Sequence, residues 1–155
     1  MRGLWLGVAL AGGLVGCGDI AAAQGAKAPQ ADAVAVRKEG FKAMGAALKR
    51  ISDEARRPKP DRRLLVAEAD RLSALSAQLP GWFAGPEAGR DRKDSQARRE
   101  IWSDPQGFSD AARGVREASR KLRGAAATGD ARAVRAQLAG VSASCKACHD
   151  RFRGP

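Results

Sequence analysis

The chain has 155 residues, a length for one domain, with 5% aromatic side chains and no tyrosine; abundant alanine and so few aromatics favour close-packed helices over sheets. Twenty-eight basic against 17 acidic residues give a net charge of +11, a balance suited to nucleic acid, an anionic membrane surface or an acidic partner. A single histidine and no nucleophile–base pair leave nothing to run acid–base catalysis, so the composition points away from an enzyme.

Residues 1–23 read as an export signal: Arg2 supplies the charged start, and Leu4 to Val15 is a run of 12 apolar or glycine residues, too short to span a bilayer. Ala21-Ala22-Ala23 before Gln24 fits a small-residue cleavage site, while Leu14-Val15-Gly16-Cys17 resembles a bacterial lipobox that would lipidate Cys17. Either processing puts the mature chain outside the cytoplasm, soluble or anchored through Cys17, and removes nucleic acid as the reason for the charge. Residues 24–32 are small and polar and read as a linker.

The first helix is expected from about Asp32 to Ala55, stopped by Pro58 and Pro60. Val34, Phe41, Met44, Leu48 and Ile51 form its apolar stripe, with spacings of 7, 3, 4 and 3. Asp61 can cap a second helix running to about Leu79, with Leu65, Leu72, Leu75 and Leu79 facing the core. Residues 80–104 make a long, mostly polar connection; Trp82, Phe83 and Trp102 should dock on the core, and Gln96–Trp102 should hold a short helical turn. Asp104 and Pro105 open a third helix with a buried stripe of Phe108, Ala111, Val115, Ala118, Leu122 and Ala125. Arg113, Arg116, Arg120 and Arg123 form a second stripe on its other face, a solvated surface or a docking face for an acidic redox partner or anionic lipid. After Thr128-Gly129, Asp130 can cap a last helix whose stripe is Val134, Leu138, Val141, Cys145, Cys148 and Phe152, spaced 4, 3, 4, 3, 4. Four such amphipathic helices, each roughly 30 Å long, make an all-α, antiparallel four-helix bundle over 33–155.

Cys145-Lys146-Ala147-Cys148-His149 has the spacing Cys-x-x-Cys-His, the attachment signature of a c-type haem. Positions i and i+3 share a helix face, so two thiols can each add to one vinyl group of a porphyrin while the next residue offers an imidazole to the iron. Zinc wants four ligands and only three are at hand; a thioredoxin-like motif needs a βαβ context that is missing. The cysteines fall in phase with the apolar stripe, so one covalent haem near the C-terminus would face the bundle interior. Met44 is the one methionine that survives removal of the signal, and it is the candidate sixth ligand of iron as well as an ordinary core filler.

At these residues the sequence resembles the class II c-type cytochromes, the cytochrome c prime group. The resemblance covers most of 33–155 and rests above all on Cys145-Lys146-Ala147-Cys148-His149-Asp150-Arg151-Phe152-Arg153 and on Glu100-Ile101-Trp102-Ser103-Asp104, with weaker support from Leu79-Pro80, Trp82, Phe83, Arg37, Phe41 and Gly45. It implies a periplasmic four-helix bundle with one haem c, often a homodimer packed through its first two helices. It implies that Cys145 and Cys148 carry the thioethers and that His149 is the axial iron ligand. Arg153 would lie by the proximal haem face, Arg37 near the propionates, and Phe41 on the distal side, where low-spin relatives place a methionine. The expected function is a high-spin, five-coordinate haem protein that binds nitric oxide or carbon monoxide and exchanges electrons; the alternative is a low-spin electron carrier ligated by His149 and Met44.

Overall fold

The computed structural model describes residues 32–85 and 89–155; the expected signal segment with Cys17 lies outside them, as does all of the expected linker but Asp32. Every long helix starts at an aspartate. The Asp32 carboxylate accepts from the amides of Val34 (2.9 Å) and Ala35 (3.4 Å) to open α1, Ala33–Glu54. Asp61 does the same for Arg63 (2.8 Å) and Leu64 (3.4 Å) at the head of α2, Arg62–Gln78. After a 3-10 turn, Leu79–Phe83, and the single turn α3, Glu100–Ser103, Asp104 accepts from Gly107 (3.0 Å) to cap α4, Pro105–Thr128. Asp130 caps α5, Ala131–Phe152, through Arg132 (2.8 Å). Each carboxylate satisfies amides that have no partner within the helix and sits at the positive end of its dipole. Gly129 closes α4 at φ 78°, a left-handed conformation that side chains resist.

Contacts at the helix ends set the directions. Near the start of α5, Arg135 donates to the carbonyl of Ala55, just past the end of α1 (2.6 Å), and Arg62 at the start of α2 donates to Ala127 near the end of α4 (2.9 and 2.6 Å). At the opposite end Arg151 of α5 pairs with Asp104 at the head of α4. Neighbouring helices therefore run antiparallel, giving the expected four-helix bundle. Ile51, Leu65, Leu72 and Leu122 are fully buried at its centre, each stabilising the fold by roughly 1.5–3 kcal/mol relative to exposure. α1 packs closely on α2, α2 on α4 and α4 on α5, but α1 and α5 touch far less. The fourth side of the bundle is held open.

Three details differ from the sequence-based expectation. On α4 the fully covered stripe is Phe108, Ala112, Val115, Ser119, Leu122 and Ala126, while Ala111, Ala118 and Ala125 are half-buried at its flank. Ser119 escapes a hydropathy pattern, but its hydroxyl donates to the carbonyl of Val115 (2.8 Å), so burial leaves no polar group unsatisfied. Phe41, placed with the core of α1, is 38% exposed. The short turn expected at Gln96–Trp102 is helical only from Glu100 to Ser103. Its first residues instead pair with the end of α5 and the chain just beyond it: the amide of Arg98 donates to Phe152 (3.0 Å) and that of Gly154 to Gln96 (2.7 Å).

The aromatic residues dock as expected. Trp82 lies so close to α1 that a Cβ built on Gly40 would come within 2.4 Å of its ring carbons. Phe41 meets Trp82 edge-on at 5.2 Å between centroids, and Phe83, Phe108 and Phe152 continue the contacts at 5.0 and 5.4 Å, edge-to-face arrangements that aromatic quadrupoles favour. Trp102 donates its indole N–H to the carbonyl of Phe83 (3.2 Å). This cluster closes one end of the gap between α1 and α5.

Candidate functional site

The gap is a cavity of about 590 Å³, within the range of cofactor sites. All seven candidate residues among the described ones line it: Cys145, Cys148, His149 and Arg153 from α5 and its continuation, and Arg37, Phe41 and Met44 from α1. Cys17 lies outside the described residues. The sequence spacings thus bring two helices at opposite ends of the chain to face each other across one space.

On the α5 wall both cysteines are free thiols, half-buried. Burial raises their pKa above the ordinary thiol value, and the neighbouring Cys145 adds to the shift at Cys148. His149 follows on the same turn. Its pKa is lowered first by desolvation and then by the positive charge of Arg153, with Asp150 opposing, so the imidazole is favoured in its neutral, ligand-competent form. Arg153 is held at the rim by two hydrogen bonds to the Gln96 side chain (3.1 and 2.8 Å).

On the α1 wall Met44 is buried in the core cluster and Phe41 stands at the mouth. Arg37, one turn before Phe41, is buried; it donates to the Ser95 hydroxyl and lies 5.0 Å over the Phe83 ring. Desolvation lowers its pKa, and the nearby Asp32 and Asp94 oppose that shift. Lys38 and Lys42 join it along the same edge.

Ser95, Gln96 and Ala97 also line the cavity, and sequence reasoning missed them. They belong to a polar segment without periodicity; its contacts with Arg37, with Arg153 and with the backbone at the end of α5 place it. The signal that could have found it was the density of hydrogen-bonding side chains between two docked aromatics.

The residues present fit a haem. Two thiols one turn apart and an adjacent imidazole share one wall, the interior is apolar, and the basic side chains of Arg37, Lys38, Lys42 and Arg153 in its lining suit a macrocycle bearing carboxylates. Among the described residues no group of three or more metal-ligating side chains assembles, so a protein-only zinc centre is not supported there. Opposite the imidazole the wall offers a phenyl ring, which has no lone pair, and a thioether, which has one.

Comparison with known proteins agrees. A sequence model of the family described as Cytochrome C' matches residues 32–153. A cytochrome c' from Alcaligenes xylosoxydans xylosoxydans is 36% identical over 123 residues, covering 79% of this chain and 93% of that protein. Among solved structures, a nitric oxide complex of a variant of cytochrome c prime from Alcaligenes xylosoxidans superposes with a TM-score of 0.70 at 33% identity, covering 79% of this chain and 94% of that one. A cytochrome c' with a ligand-controlled dimer dissociation superposes at 0.72 with 25% identity, covering 79% and 95%.

Proposed function

The chain belongs to the cytochrome c prime family, whose members carry one covalent haem c, and from that premise we propose that it binds diatomic gases, nitric oxide and carbon monoxide, at a five-coordinate haem outside the cytoplasm. When bound, haem iron held by one imidazole supplies an open axial position for such a ligand. The observation that carries the reading is the asymmetry of the cavity walls: His149 and both thiols on α5, and Phe41 at the mouth of the α1 side. Cys145 and Cys148 would hold the group covalently, and His149 would ligate it through its neutral imidazole. Phe41, braced against Trp82, excludes water from the α1 side, and Arg37 with Arg153 would balance carboxylates at the rim. Helix α1 brings no histidine to the cavity and so little hydrogen bonding for a polar bound dioxygen; nitric oxide and carbon monoxide need less.

A role in binding rather than turnover is supported by the absence of a second histidine in the chain. The reading includes periplasmic export through residues 1–23, with or without lipidation of Cys17. It also includes a homodimer packed through α1 and α2, where Val36 is 42% exposed, and electron exchange with an acidic partner, which the charge of +11 would attract. A second reading has one observation in its favour: the thioether of Met44 lies on the cavity wall, where it could ligate iron and make the protein a low-spin electron carrier. Stopped-flow mixing of the ferrous protein with carbon monoxide tests the choice. A rate that rises linearly with ligand concentration supports an open position; one that saturates, limited by loss of an internal ligand, refutes it.

A further inference from the structure

A second, smaller cleft lies where the end of α2 meets the first half of α4. It has a volume of about 110 Å³ and is lined by Ser76, Pro80, Ser109, Ala112, Arg113 and Arg116. Arg116 is half-buried, and its Nε is sealed from solvent with no hydrogen-bond partner among the described residues. A guanidinium does not lose its proton in a protein, so this buried donor cannot be relieved by deprotonation, and leaving it unsatisfied is costly.

No neighbour among the described residues accepts from it. Arg113 is a cation itself, already paired with Asp110 (2.7 Å) and within 4.0 Å of Glu117. Asp110 also accepts from the Gln106 amide (3.0 Å). The Ser76 hydroxyl donates to the carbonyl of Ser73 (2.8 Å). The Ser109 side chain makes no hydrogen bond among the described residues, so its hydroxyl is free to donate, and Pro80 has no N–H to compete. The cleft thus gathers an unpaired guanidinium donor, a second guanidinium and a free hydroxyl around a space too small for a large organic ligand. The other arginines of the stripe lack such a setting: Arg123 pairs with Asp70, and Arg120 is exposed.

We propose that this cleft is a binding site for one small tetrahedral oxyanion, either free phosphate or sulfate or the terminal group of a phosphate monoester. Arg116 is its principal ligand, with Ser109 and Arg113 completing the donors. A planar guanidinium meets two oxygens of such an anion at once, and the anion neutralises a charge that no carboxylate among the described residues reaches. Ala112 lines both this cleft and the haem cavity, so the two sites share one buried residue of α4.

The test is isothermal titration calorimetry on the haem-loaded protein at fixed ionic strength, which holds screening constant, with inorganic phosphate in one arm and glycerol 3-phosphate in the other. One saturable site for inorganic phosphate is expected, lost in R116Q and unchanged in R120Q. Comparable affinity for glycerol 3-phosphate supports a monoester as the natural source, and weaker affinity supports the free anion. The variant R116K keeps the charge but lacks the planar guanidinium fork, and should bind roughly tenfold more weakly, the loss of one charged hydrogen bond. No saturable heat with either anion, or binding that survives intact in R116Q or R116K, overturns the proposal.

Discussion

Gly40→Ala is expected to destabilise the protein although alanine is the better helix former. Gly40 sits mid-way along α1, where replacement by alanine on propensity alone would stabilise by roughly 0.8–1 kcal/mol. A Cβ there would stand 2.4 Å from Cη2 and Cζ2 of Trp82 and 2.9 Å from Cε2. Those are rigid ring atoms, and Trp82, part of the 3-10 turn, is buried against α1, so the indole or the helix must move. Overpacking of that kind costs about 1–3 kcal/mol, which leaves a net loss of up to roughly 2 kcal/mol after the propensity gain. For a domain of this size that is a fall in Tm of several degrees, about 3–5 °C per kcal/mol. Gly124→Ala is the control: Gly124 lies in α4 and its Cβ would meet nothing within 4 Å, so it should gain the full propensity term. Urea unfolding followed by far-UV circular dichroism measures both. Equal stabilisation by the two substitutions would refute the close packing of Trp82 on α1.

The same contact bears on ligand access, since Trp82 braces Phe41. Phe41→Ala should speed carbon monoxide association in stopped flow, by roughly tenfold if the phenyl ring accounts for ~1.4 kcal/mol of the access barrier. Met44→Leu, a near volume-conserving change costing under about 1.5 kcal/mol, should leave the visible spectrum unchanged; a change of spin state in that variant would identify Met44 as a ligand. Asp94 has its pKa lowered from 3.8 to about 2, chiefly by its hydrogen bond to Arg92. Because the folded value lies below the unfolded one, its stabilising contribution is complete above about pH 3.8 and is lost as the pH falls to about 2; Asp94→Asn should flatten the acid limb of a Tm–pH profile over that window. Mass spectrometry of the mature chain should find an acylated Cys17 or a start at Gln24, and a chain still beginning at Met1 would contradict export.

Much of the architecture was legible because it is local. Asp61, Asp104 and Asp130 before apolar periodicity marked three helix starts and cap as their chemistry requires, and Asp32, read only as the start of the first helix, caps it too. The Cys-x-x-Cys-His spacing placed its own residues on one face, and the stripe of α5 turned that face inward. What could not be read depends on contacts distant in sequence. Ser119 is buried because its own helix satisfies it, and a hydropathy pattern registers only its polarity. Ser95 and Gln96 reach the cavity because Arg37 and Arg153, some 58 and 57 residues away, hold them there. Phe41 keeps the apolar phase of α1 yet faces the cavity mouth, because α1 and α5 are splayed on that side of the bundle. The opening that makes the site is a property of how the helices pair, and no single helix encodes it.

The measurement that decides most is the visible absorption spectrum of the purified, dithionite-reduced protein before and after carbon monoxide. Five-coordinate iron ligated by His149 alone predicts a broad, unsplit high-spin visible band that shifts at once on adding the gas. Sharp, split low-spin bands that resist carbon monoxide would contradict gas binding and put Met44 on the iron instead.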